Sequence, residues 1–84
     1  MATTKNKTCE VGAGWVQLNT VDTAFIVQNI SKVSAEYCYA TATPSETIQG
    51  GLLKPEGGVT SGMLQGLVFG RASGDVAVKF VVFD

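Results

Sequence analysis

Turn-forming residues interrupt this chain so often that no apolar segment has room to become a helix. Gly12-Ala13-Gly14, Asn19-Thr20-Val21-Asp22, Pro44-Ser45, Gly50-Gly51, Pro55-Glu56-Gly57-Gly58, Ser61-Gly62 and Ser73-Gly74 break it at short intervals. What lies between them is short and rich in β-branched and aromatic residues, the composition of strands. Trp15–Leu18, Thr23–Asn29, Tyr37–Thr41, Leu52–Lys54, Leu67–Ala72 and Asp75–Phe83 read as strands, and Val59-Thr60 as a brief pairing. Pro55 at the second position of its turn fixes φ where a tight turn needs it, and Ser73-Gly74 fits a two-residue hairpin. Ser45 to Ile48 leaves room for one helical turn. In the last segment the period of two puts Val76, Val78, Phe80 and Val82 on one face and Ala77, Lys79, Val81 and Phe83 on the other. Apolar residues on both faces mean cover on both sides. The expectation is an all-β fold, a small antiparallel sandwich or barrel of jelly-roll type with about seven short strands.

At 84 residues the chain is one domain. A core this small leaves little stability to spare, so help from a partner or from further copies is expected. Apolar residues make up 45% of it, while charged residues make up only 15%, against about a quarter in an average protein. The net charge is −1, and the six basic residues form no stripe, so a nucleic-acid partner is not expected. No apolar run reaches the ~20 residues of a membrane-spanning helix, and Met1–Glu10 lacks the apolar centre of a signal peptide. Cytoplasmic synthesis without secretion is the expectation, with Cys9 and Cys38 unpaired and Cys38 packed as a small apolar side chain. Residues 1–14 carry almost nothing apolar beyond Val11. They read as a flexible or partner-bound arm ahead of a β-domain spanning 15–84.

Catalytic chemistry finds few candidates. The chain has no histidine, which removes Ser-His and Cys-His nucleophile pairs. Glu10, Asp22, Glu36, Glu46, Glu56 and Asp75 fall mostly in expected turns and loops, with no local pattern that pairs two of them as acid and base. Two cysteines without histidine make a poor zinc site, and no glycine-rich stretch runs into a helix to cradle phosphate. No enzyme, metal or cofactor is expected. Trp15, Tyr37 and Tyr39 offer aromatic faces on which a sugar could stack; the competing reading has Trp15 plugging the core and the tyrosines pairing across strands.

The order of short motifs resembles small all-β virion proteins of tailed bacteriophages. The segments are Phe25-Ile26-Val27-Gln28-Asn29, then Gly51-Leu52-Leu53-Lys54-Pro55-Glu56-Gly57-Gly58, then Val68-Phe69-Gly70-Arg71-Ala72 with Ser73-Gly74, followed by a β-rich end. The resemblance implies a capsid decoration, or cement, protein bound to the major capsid protein or another virion protein. It also implies assembly as a homotrimer. Its alternative implication is a receptor- or carbohydrate-binding module of a head or tail fibre. No functional residue transfers by motif. From the residues themselves, the contact candidates are Lys5, Lys7 and Glu10 on the arm, Trp15 at its end, and Val81 and Phe83 on the last strand.

Overall fold

The structure, a computed structural model, describes residues 4–20, 25–45, 47–60 and 66–84. Residues 1–3 of the expected arm, Val21 and Asp22 of the first turn, Thr23 and Ala24 of the next strand, Glu46, and 61–65 with the Ser61-Gly62 break lie outside them. The described residues form eight strands and no helix: β1 Thr4–Cys9, β2 Val16–Gln17, β3 Ile26–Asn29, β4 Ala35–Ala40, β5 Gly51–Leu53, β6 Gly58–Thr60, β7 Leu67–Ala72 and β8 Val78–Phe83. They build two four-stranded sheets, β1-β8-β3-β6 (sheet A) and β2-β7-β4-β5 (sheet B), with every pairing antiparallel. The two sheets pack face to face, so the expected all-β sandwich is what the chain forms.

The core follows from the two-residue period. From sheet A, Val78, Phe80 and Val82 of β8, Val27 of β3, Val59 of β6 and Cys9 of β1 are fully withdrawn from solvent. Sheet B meets them with Leu18, Val68, Ala35 and Leu53, and Val16, Tyr37, Tyr39 and Ala72 pack around that cluster. Burying a side chain of this size contributes roughly 1.5–3 kcal/mol, and the phase of the apolar alternation therefore pins the register of β8. Gly70 on β7 lets the two sheets approach here. A methyl group in its place would lie 2.8 Å from the Phe80 ring and 2.9 Å from Leu18 Cδ1.

Four expectations change. Residues 4–9 are not a loose arm: they pair with β8 over six residues, from Thr4 opposite Phe83 to Cys9 opposite Val78. Edge strands are half solvated, so the backbone ladder, rather than apolar side chains, holds this one. Cys9, placed on the arm by sequence, is the buried thiol, and Cys38 is the partly exposed one on the outer side of β4; both are free. Asn19, expected in a turn, is fully buried, and its Oδ1 accepts a 2.6 Å hydrogen bond from the Val68 N–H. The last strand begins at Val78, and Val76, expected on the same face as Val78, Phe80 and Val82, is exposed before its start.

Candidate functional site

Outer positions of sheet A are set by the same register. Phe83 lies opposite Ile26 on β3 and opposite Thr4 on β1, while Val81 lies opposite Gln28 and Asn6. Phe83 is 38% exposed and Ile26 is 49% exposed, and Val81, two positions along β8, is half-buried. Ile30, immediately beyond β3, is exposed as well. Directly opposed side chains on neighbouring strands touch, so Ile26 and Phe83 make a continuous apolar strip. Thr4, Asn6, Gln28 and Thr60 frame it with uncharged polar groups, and Lys79 is the one charge among these outer positions of the strands.

The six sequence candidates do not converge. Val81 and Phe83 sit on this strip. Lys5 and Lys7 share the other side of β1, aligned with the buried Val82 and Phe80. Lys5 is committed there to an ion pair with Asp84 at 3.3 Å. Glu10 is exposed in the turn that follows β1. Trp15 is only 7% exposed, yet it is covered outside the cluster that fills the space between the sheets. Ile26 went unnoticed in the sequence because its partner, Phe83, is 57 positions away; only the register of β3 on β8 brings them together.

Trp15 stands on the outer face of sheet B, under the segment that leads into β5. Its indole N–H donates to the Ser45 carbonyl at 3.2 Å, and the Arg71 guanidinium stacks over its ring at 4.2 Å. Arg71 is gripped at two points by Glu36, at 3.1 and 3.2 Å, and donates to the Ile48 carbonyl at 3.0 Å. Phe69, two residues before Arg71 on the same side of β7, is buried here too. The cleft beside this cluster is about 290 Å³ and is lined by Glu10, Gly12, Gly14, Glu36, Arg71 and Ala72. Glu36 and Arg71 of its lining are already matched to each other in a bidentate pair, the arrangement of a strut. Tyr37 and Tyr39 turn inward, stacked edge-to-face at 6.3 Å. An exposed three-ring platform for a sugar is therefore not what these aromatics form.

The titratable groups carry structural shifts. Burial, with Glu10 next to it, pushes the Cys9 thiol up to about 11, and burial raises Cys38 as well. Both stay protonated at neutral pH and are weak nucleophiles. The Asp84 carboxylate accepts from the Thr20 backbone N–H at 2.8 Å and from its hydroxyl at 3.0 Å. Those bonds, the backbone one foremost, hold its pKa below the usual carboxylate value. A carboxyl with a lowered folded pKa stabilises the fold above its unfolded pKa of about 3.9, and that contribution fades as pH falls through the folded value. Denaturant titrations from pH 7 down to pH 2 are expected to show an acid-side loss of stability that Asp84→Ala makes shallower.

Among the described residues, no three of His, Cys, Asp and Glu gather into a set that would hold a metal ion, and no helix is long and apolar enough to cross a membrane. No protein family, curated protein or solved structure matches this chain.

Proposed function

We propose that this chain is a non-enzymatic structural protein of a bacteriophage virion, a decoration protein that stabilises the head shell. In this reading it is made in the host cytoplasm and ends up in the particle. It sits there as a symmetric homo-oligomer, a trimer by the resemblance, against the major capsid protein. The observation that carries the reading is the uncharged apolar strip of Ile26, Val81 and Phe83 on the outer face of sheet A. Exposed apolar surface framed by uncharged polar groups suits a protein–protein contact.

The test is cosedimentation with capsid shells of the phage whose genome encodes the chain, alongside sedimentation velocity of the free protein. Ile26→Asp/Phe83→Asp places two charges on the strip. Both side chains are already partly in water, so circular dichroism should show the fold retained. Losing about 1 kcal/mol of apolar burial from each weakens binding by about thirtyfold. Undiminished binding by the double variant, or failure of the native chain to pellet with shells at tens of micromolar, would remove the reading.

A further inference from the structure

We infer that β1 is an exchangeable strand, and that the partner it fits is a second copy of this chain, whose β8 it pairs with in place of its own. The inference is independent of which assembly the domain joins.

An element can be traded between copies only if it lies at a sheet edge and has a single covalent connection to the described body. β1 meets both conditions. β8 is the other strand at an extremity of the described chain, but it is central, paired with β1 on one side and β3 on the other. The edges β2, β5 and β6 are each held in the chain on both sides.

What fixes β1 is also what a second copy offers without change. Six residues of backbone ladder run from Thr4–Phe83 to Cys9–Val78. Three side-chain links support it: the buried Cys9, the Cys9 thiol donating to the Gly70 carbonyl at 3.5 Å, and the Lys5–Asp84 ion pair. No other β1 side chain is buried. A strand with one buried side chain sits at the low end of local stability and opens ahead of the core. The same ladder, thiol and ion pair form across two molecules as within one, so exchange loses no contact made by β1.

The hinge is visible between two anchors. Cys9 is buried at one end and Trp15 at the other, pinned by Ser45 and stacked against Arg71. Between them the chain folds into a turn closed by Ala13 N–H donating to the Glu10 carbonyl at 3.2 Å. Gly12 and Gly14 hold φ of 78° and 79° there, a backbone region that side-chain-bearing residues avoid. Residues 10–13 are all exposed. Opened out, the six steps from Cys9 to Trp15 span about 20 Å, enough to carry β1 clear of its own sheet. The closed turn depends on glycine, whereas the open form does not. Exchange between copies gains on the closed monomer as the concentration of the chain rises.

The test reads which chain each β1 pairs with. Asn6 and Val81 are directly opposed on the outer face, at a spacing within disulfide reach. The reporter is Asn6→Cys/Val81→Cys in a Cys38→Ser background, oxidised and run on a non-reducing gel. Gly12→Val is then added. A Cβ at Gly12 meets no atom within 4 Å, so the strain of the substitution comes from the positive φ of the closed turn. Expected is a shift from cross-links within one chain to cross-links between chains, at two or three chain masses. The association constant measured by light scattering rises about tenfold or more. A monomer cross-linked within itself overturns the inference. So does an oligomer whose cross-links stay within each chain, which would instead be the outer-face association proposed above. If Gly12→Val does not fold, the reporter with the native hinge, refolded from urea at about 1 mM, decides by the same gel.

Discussion

Asn29→Ala is expected to lower the stability of the domain by about 3 kcal/mol and its melting temperature by about 15 °C. Asn29 ends β3 with no solvent exposure and serves as a junction between three segments. Its side-chain NH2 donates to the Val33 and Leu53 carbonyls, both at 2.9 Å, and its Oδ1 accepts from the Ser31 N–H at 3.0 Å and from the Ser31 hydroxyl. Its backbone N–H donates to the Gly57 carbonyl at 2.9 Å, and its own carbonyl accepts from the Glu56 N–H at 2.8 Å. Alanine keeps the backbone pair but leaves the Leu53 carbonyl, which the side chain reaches in the interior, without that donor. A buried group left unpaired costs about 1–3 kcal/mol, which is why the effect exceeds the worth of one surface hydrogen bond. Asn29→Asp is isosteric yet fails for a different reason: an oxygen then faces two carbonyl oxygens. Its carboxyl pKa rises in the fold, so this variant should recover stability as pH falls, the opposite of the native protein. Urea titrations of the three proteins at pH 7 and pH 4 check both statements, and equal midpoints at pH 7 would sink them.

The second large effect is expected at Gly70. Gly70→Val should cost about 3 kcal/mol or more, and Gly70→Ala about 1–2 kcal/mol. Glycine inside a strand is ordinarily a weakness that a side chain relieves. Here the sign reverses, because the new carbon would sit 2.8 Å from Phe80 Cε2 and 2.9 Å from Leu18 Cδ1. Phe80 and Leu18 are 0% and 1% exposed, so neither has free space to enter. Close-packed interiors transmit such a push into the backbone. Combining Gly70→Ala with Phe80→Leu vacates the space the methyl needs. The pair should therefore be less destabilised than the sum of the two single variants, with a coupling of about 1 kcal/mol. Thermal unfolding of the four proteins in this cycle measures it, and strict additivity would show that the approach of the two sheets is not what glycine permits here.

Much of the apolar strip was legible in the last nine residues, since Val81 and Phe83 break the polar-outward rule on a strand whose other face is apolar. Its second half was not, because Ile26 lies in a run whose apolar residues read equally well as core. Lys5, Lys7 and Glu10 were grouped with the strip only through the assumption that residues 1–14 hang free. The pairing of β1 with β8 turns both lysines to the opposite side.

Local physics is what the sequence by itself determined. Alternation put Val78, Phe80 and Val82 of β8 on one face, and that is the face the sandwich buries. The Lys54–Gly57 turn was likewise written locally: Pro55 holds the second position, and Gly57 N–H closes the turn onto the Lys54 carbonyl at 2.8 Å. Glu56 takes the third position at φ 69°. Only the tertiary structure decided the rest. A backbone ladder carries no side-chain signature, so TKNKTC reads as a polar arm until β8 offers its unpaired edge. Asn19 reads as a turn residue until Val68, 49 positions on, brings its backbone N–H to the amide oxygen. Trp15 reads either as an open aromatic face or as a core plug until Arg71 stacks on its ring and the Ser45 carbonyl accepts from its indole N–H. Each of these depends on hydrogen-bond partners or cover brought from far along the chain, and that satisfaction belongs to the assembled sheets rather than to any stretch of sequence.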